Sequence, residues 1–212
     1  MSKARTLRAL RAQEVPAGLR WEVVIVDNNS RDDTRDVVAR AAVEFPLLRY
    51  LFQPLQGLSH ARNMGIEAAR GQVLLFTDDD VLPERDWVTG VLAGLDAHAA
   101  DACGGYIAPI FEVPPPAWLT ERFYGFLAVR TERSDDYPIL NASQAPFGAN
   151  MAVKRAVFAR VGLFDVTRGR TGKVLASGED GELFERILGA GLKAVFLGSA
   201  RAALIPAVTV PV

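Results

Sequence analysis

Three adjacent carboxylates, Asp78, Asp79 and Asp80, follow the apolar run Val73-Leu74-Leu75-Phe76-Thr77. The run reads as a strand covered on both faces, and in parallel sheets ligands bind just beyond strand carboxyl ends. Strand alternation would send Asp78 and Asp80 to one side, a spacing suited to a hard divalent cation that also coordinates phosphate. Taken alone, the run reads instead as a solvated acidic turn ahead of a helix opened by Pro83. Two more acidic sites reverse that preference: Asp27 closes the run Trp21-Glu22-Val23-Val24-Ile25-Val26, and Glu179-Asp180 precede a helix. Transfer from a diphosphate leaving group needs a nucleotide pocket, a cation to neutralise the diphosphate and a base for the attacking hydroxyl. Asp27 would accept a hydrogen bond from nucleobase or ribose, Asp78 and Asp80 would serve ribose and metal, and Asp180 or Glu179 would deprotonate the acceptor. Singly, Asp27 is also a turn former, and Glu179-Asp180 also a helix-start pair that complements the dipole.

The elements that must position these acids follow from periodicity and punctuation. A short basic helix around Leu7 and Leu10 is closed by Pro16-Ala17-Gly18, and the first strand ends in the polar turn Asp27-Asn28-Asn29-Ser30. Val37, Val38, Ala41 and Ala42 form the apolar stripe of the next helix. Leu48 to Phe52 is a strand, Ser59 to Arg70 a helix stopped by Gly71, and Val73 onward the acid-tipped strand. This alternation indicates an α/β fold with a mixed, mostly parallel sheet flanked by helices. Beyond it the spacing predicts a helix over Pro83 to Asp96 and strands over 102–107 and 147–153. A helix over 155–161, a glycine-rich loop from Arg168 to Gly178, a helix over 182–188 and a strand over 193–197 complete the series. The stretch from Val113 to Pro138 is Pro-interrupted and aromatic, with Trp118, Phe123, Tyr124 and Phe126, and suits a cover folded over the sheet.

Gly57-Leu58-Ser59-His60-Ala61-Arg62-Asn63-Met64-Gly65 opens a helix with a flexible entry and a capping hydroxyl. Arg62 there could face a phosphate or a nucleobase edge, or lie on the solvent face of an ordinary capped helix. The 212 residues, 50% of them hydrophobic, suit one compact domain. A formal net charge of −1 provides no global field to recruit nucleic acid or an anionic membrane. The single cysteine, Cys103, sits in an apolar context that favours a buried thiol and a reduced, cytoplasmic compartment. No window approaches the length of a membrane span, which leaves only peripheral membrane contact open.

The ordered set resembles the family 2 glycosyltransferases of the GT-A fold, a Rossmann-related architecture. Val-Val-Ile-Val-Asp27-Asn28-Asn29-Ser30 is similar to that family's first acidic nucleotide motif, and Gly57 to Gly65 to its Ala-Arg-Asn helix. Phe76 to Asp80 is similar to its DxD motif, Phe147 to Asp165 to its donor-and-acceptor floor, and Ser177 to Leu183 to its ED motif. The resemblance implies that Asp27 and Asn29 meet the nucleobase side of a UDP- or GDP-sugar, that Asp78 and Asp79 reach the ribose region, and that Asp80 with Asp78 ligates Mg2+ or Mn2+. It also implies that Arg62 and Asn63 line the nucleotide side and that Gly148 and Asn150 lie beneath the sugar. Asp180 is then the base, with Glu179 as understudy, in an inverting transfer to a glycan or lipid-linked acceptor in polysaccharide or glycan biosynthesis.

Two departures bear on this expectation. The family opens with an apolar strand that precedes the residues matched here, so residues 1–212 are expected to form one GT-A-like domain lacking that strand, with neighbouring sheet edges exposed. Relatives also carry a His three residues before a Pro after the last strand, to complete the metal shell; here Ala203 stands before Pro206. A non-catalytic remnant, or a sugar-nucleotide-binding subunit of the same fold, is therefore the alternative. A nucleotidyltransferase with a related sheet is a third, though the glycine- and Lys/Arg-rich first loop it needs is not present.

Overall fold

The computed structural model describes residues 2–131, 135–168 and 178–206. Helix α1 (Ser2–Arg11) buries Leu7 and Leu10, the two apolar positions that share one helical face. Strand β1 (Val23–Asp27) pairs in parallel with β2 (Leu48–Phe52), joined by the crossover helix α2 (Thr34–Glu44). Helix α3 (Leu58–Ala68) then leads to β3 (Val73–Phe76).

Six strands form the second, mixed sheet, ordered β3, β7 (Met151–Lys154), β5 (Ala102–Pro109), β8 (Ala194–Leu204) and β4 (Val81–Pro83), with β6 (Tyr137–Ile139) also on β8. The β5–β8 ladder is parallel; β3 with β7, β7 with β5, and both β4 and β6 with β8 are antiparallel. One edge of β8 is shared, β6 taking Ala194 to Phe196 and β4 taking Ala202 to Leu204. The β5–β8 register jumps between Gly105 and Tyr106, so the two halves of β8 meet different partners.

Alternation along the strands separates two cores. Cys103 of β5, Ala152 of β7 and Val195 and Leu197 of β8 face a cluster with Leu7, Leu10 and Val38 of α1 and α2. Trp87, Val91 and Leu95 of α4 (Trp87–Ala97) join the same cluster. Ala102, Met151, Val153 and Phe196 face the opposite cluster, with Phe158 of α5 (Arg155–Val161) and Leu183, Phe184 and Ile187 of α6 (Glu179–Gly189). Helices therefore cover both faces, as period-2 alternation in an α/β sheet requires.

Several elements differ from the sequence expectation: β8 runs on to Leu204, past the expected end at 197, and β6 begins within the stretch read as a cover. Val81–Pro83 is a strand, and the helix expected from Pro83 begins only at Trp87. An edge strand tolerates the missing proline N–H, so Pro83 suits β4 as well as it would suit a first helical turn. Residues 148–150 form a 3-10 turn that precedes β7, and α6 starts at Glu179, three residues before the expected Glu182. The last shift places both acids of the pair inside the first helical turn. Of the glycine-rich loop, residues 169–177 lie outside the described residues, and so does Ser177 of the ED resemblance.

Candidate active site

Asp27 closes β1 and is 5% exposed. Its Oδ1 accepts the Ser30 N–H at 2.8 Å and its Oδ2 the Tyr50 hydroxyl at 2.7 Å. Burial pushes the carboxyl up, but these donors outweigh it and hold Asp27 below the usual carboxylate range. The next two residues pin the loop that leads to α3. The Asn28 amide donates to the Leu55 carbonyl and accepts the Gly57 N–H, each at 2.7 Å, and Asn29 Nδ2 donates to the Pro54 carbonyl at 3.2 Å. Asn29 adopts φ 61°, a left-handed conformation that asparagine tolerates better than most residues. Its side chain thus shapes the loop beside Asp27. Tyr50, the partner of Asp27, was not singled out in the sequence; its polar tip in the neighbouring strand was the available signal.

Strand β3 ends at Phe76, so the three acids leave the strand and alternation does not dictate where Asp78 and Asp80 point. Their backbone is fixed instead. The Thr6 hydroxyl donates to the Asp79 carbonyl at 2.9 Å, the Val81 N–H to the Asp78 carbonyl at 3.3 Å, and the Ile205 N–H to the Asp80 carbonyl at 3.0 Å. Asp79 is exposed and lies 3.9 Å from the Lys3 ammonium, on the side of α1. Asp78 and Asp80 are half-buried. Among the described residues no group of three or more His, Cys, Asp or Glu side chains could hold a metal ion. The all-oxygen donors of Asp78 and Asp80 still fit a hard cation of the Mg2+ or Mn2+ type, which binds through one or two carboxylates plus substrate phosphate and water. Ala203, at the position of the expected histidine, pairs with Leu82 within the β4–β8 ladder and has no ligand atom.

The base candidates sit in the first turn of α6. Arg62 of α3 reaches both: its Nη1 donates to Asp180 Oδ1 at 2.7 Å and lies 3.3 Å from Glu179 Oε1. The second oxygen of Asp180 accepts the Gly148 N–H at 2.8 Å. Burial raises Asp180 above the ordinary carboxylate range; the Glu179 and Asp78 charges add to this, while Arg62 and the Gly148 N–H oppose it. Asp78 therefore lies within electrostatic range of Asp180. Exposure separates the two acids of the pair. Asp180 keeps 18% of its side-chain surface accessible and Glu179 only 6%, with Glu179 Oε2 buried and without a hydrogen-bond partner among the described residues. Asp180 is therefore the more accessible of the two.

Other expected ligands have their polar atoms committed elsewhere. Asn63 exchanges two hydrogen bonds with the backbone of Phe164, both at 2.9 Å, and so staples the segment after α5 to α3. Asn150 is 2% exposed; it accepts the Trp87 indole N–H and donates to the Tyr106 and Ala200 carbonyls. Asn150 ties α4, β5 and β8 together beneath the floor. Gly148 does lie at the site, against Arg62 and Asp180. Phe164 was also missed: its ring lies under the Arg62 guanidinium at 5.1 Å.

The aromatic segment divides. Leu119 and Val129 are buried, and Tyr124 and Leu127 pack on the core cluster formed by Ile107 and Ala149, so this half covers the sheet. Trp118 is 66% exposed and Phe126 80%, with Phe123 in ring contact with both. Arg130 stacks at 5.5 Å on Phe147, the residue preceding Gly148, which links the segment to the site. Cys103 is 1% exposed and burial pushes its thiol up to about 12, as suits an inert core residue. No helix among the described residues is long and apolar enough to cross a membrane.

The chain is similar to known proteins in sequence and in fold. Glycosyltransferase AglE of Haloferax volcanii is 27% identical over 161 residues, covering 76% of this chain and 50% of that protein. The succinoglycan biosynthesis protein ExoM of Rhizobium meliloti is 32% identical over 117 residues, covering 55% of this chain and 38% of that protein. The chain thus spans half or less of the length of these relatives. The solved mannosyltransferase PcManGT of Pyrobaculum calidifontis, in complex with GDP-Man and Mn2+, superposes with a TM-score of 0.68 at 23% identity, over 95% of this chain and 52% of that one. It shares the GT-A fold. The family model described as glycosyl transferase family 2 matches residues 4–162, three quarters of the chain, and the chain belongs to that family.

Proposed function

We propose that the chain transfers a sugar from a UDP- or GDP-sugar to a hydroxyl of a glycan or lipid-linked acceptor, with inversion at the anomeric carbon. The observation that carries this reading is Asp180, a partly accessible carboxylate held by the Gly148 N–H and Arg62. Family membership and the fold shared with an enzyme solved with GDP-Man and Mn2+ support it.

In this reading the acceptor oxygen bonds to the anomeric carbon as the bond from that carbon to the diphosphate oxygen breaks. The hydroxyl proton passes to Asp180, and the electron pair leaves with the nucleoside diphosphate. Asp27 and the loop pinned by Asn29 face the nucleobase, and Asp78 and Asp79 lie toward the ribose. Asp80 with Asp78 would hold Mg2+ or Mn2+, which supplies charge neutralisation for the diphosphate. Burial that raises Asp180 brings its basicity closer to neutral pH, where a general base works best. The exposed rings of Trp118 and Phe126 would form the acceptor side.

The test is release of nucleoside diphosphate from GDP-mannose, UDP-glucose and related donors with Mn2+ and a panel of hydroxyl acceptors. Turnover that disappears in Asp180→Asn and Asp80→Ala, with both variants folded, is expected. Nucleotide binding without transfer from any donor would select the binding-subunit reading instead.

A further inference from the structure

The resemblance places Arg62 on the nucleotide side, but its surroundings are those of a counterion for acids. The side chain is 8% exposed, its Nη1 meets Asp180 and Glu179, and Phe164 lies beneath its guanidinium. Room for this placement exists only because residue 148 is glycine, since a Cβ there would lie 2.6 Å from the guanidinium carbon.

We propose that Arg62 is a positioning residue for Asp180, fixing the carboxylate that receives the acceptor proton, and is not a ligand of the nucleotide. This rests on the sugar-transfer reading of the same site. Two directional holds, Arg62 on Oδ1 and the Gly148 N–H on Oδ2, fix the plane of the Asp180 carboxylate. Among the described residues the charged groups that act on Asp180 include Arg62 from α3, Glu179 from α6 and Asp78 from the segment after β3. Swinging Arg62 out to a diphosphate would take the guanidinium away from buried Glu179 and half-buried Asp180 together, an exchange against the fold. The Phe164 ring and the Asn63 staple hold that packing in place from the other side.

The test uses Arg62→Met and Arg62→Lys in the full chain, with calorimetric titration of GDP and UDP beside steady-state kinetics. In Arg62→Met, nucleoside diphosphate affinity should stay within about twofold of the parent while kcat falls by about 10²-fold, the scale of a misplaced general base. Arg62→Lys should recover part of kcat, and in an Asp180→Asn background Arg62→Met should change kcat by less than about twofold, because residues that act as a unit are not additive. A loss of nucleotide affinity of about tenfold or more in either variant, or a fully additive loss with Asp180→Asn, overturns the proposal. Should Arg62→Met not fold, Arg62→Lys carries the affinity test. A parent protein that binds nucleotide but transfers no sugar overturns the reaction reading, and the calorimetric comparison still decides whether Arg62 touches the nucleotide.

Discussion

Gly148 and Arg62 are packed so closely that a Cβ on residue 148 would lie 1.9 Å from Arg62 Nη2 and 3.2 Å from Asp180 Oδ1. The contact joins the 3-10 turn before β7 to α3 and α6 at the place where the proposed base is held. Gly148→Ala must therefore displace the guanidinium or the turn. Overpacking of this kind costs about 1–3 kcal/mol, and here the displaced group is the partner of Asp180. The expected outcome is a modest fall in the denaturant midpoint together with loss of most sugar transfer, measured on the same preparation. Full activity in a folded Gly148→Ala protein would show that the close contact is irrelevant to the site.

Tyr50 and Asp27 give a pH-dependent prediction. The folded carboxyl of Asp27 lies below its unfolded value, so it contributes stability above the ordinary carboxylate pKa that is lost as pH falls through the folded value. Tyr50→Phe removes the donor on Oδ2 and moves the folded value back toward the unfolded one. A hydrogen bond to a buried charged group contributes about 1.5–3 kcal/mol, so the variant should be less stable by about that amount at pH 7. The difference should shrink as Asp27 is protonated in both proteins. Urea unfolding of the pair at neutral pH and near pH 3 checks this, and a deficit independent of pH would mean that the lost hydroxyl acts through something other than the Asp27 charge.

Asn63 is expected to matter for stability more than for nucleotide affinity. Its two bonds to the Phe164 backbone would be lost in Asn63→Ala, at about 0.5–1.5 kcal/mol each. Asn63→Asp should cost more, since a carboxylate has no N–H to offer the Phe164 carbonyl and meets it acceptor to acceptor. Thermal unfolding and nucleotide titration on both variants separate this from a ligand role, which would lower affinity and leave the melting temperature unchanged.

Asn63 and Asn150 also show where sequence reasoning stops. The acids at Asp27, Asp78 to Asp80 and Glu179-Asp180 could be picked out because a carboxylate at a strand end or helix start has few structural duties. An asparagine offers a donor and an acceptor to ligand and backbone alike, and the partner of Asn63 is 101 residues away. The strands β1, β2 and β3 were readable from their apolar runs, whereas β4 is three residues long and takes its identity from pairing with β8. The start of α6 was misplaced by three residues because a Gly-rich approach hides the first helical turn, though the acids it carries were recognised. The family resemblance named Arg62 as a site residue, yet its duty toward Asp180 depends on Gly148 and Phe164, which only the tertiary packing brings beside it.

The aromatic segment yields a prediction that separates its two halves. Trp118 and Phe126 are largely exposed and touch Phe123, so truncating them removes little buried surface and should leave the melting temperature near that of the parent. Leu119, one residue from Trp118, is 8% exposed, and Leu119→Ala should cost about 2–5 kcal/mol as a core truncation. If the exposed rings receive the acceptor, the Trp118→Ala, Phe126→Ala double variant should raise acceptor KM while hydrolysis of the donor by water continues unchanged, because no acceptor is bound in that reaction. Each stacked ring is worth about 0.5–1.5 kcal/mol beyond its area, so a rise in KM of about tenfold is expected for the pair. An unchanged acceptor KM in a folded double variant would remove the rings from the acceptor side, whereas a parallel loss of donor hydrolysis would place them with the machinery that binds the nucleotide.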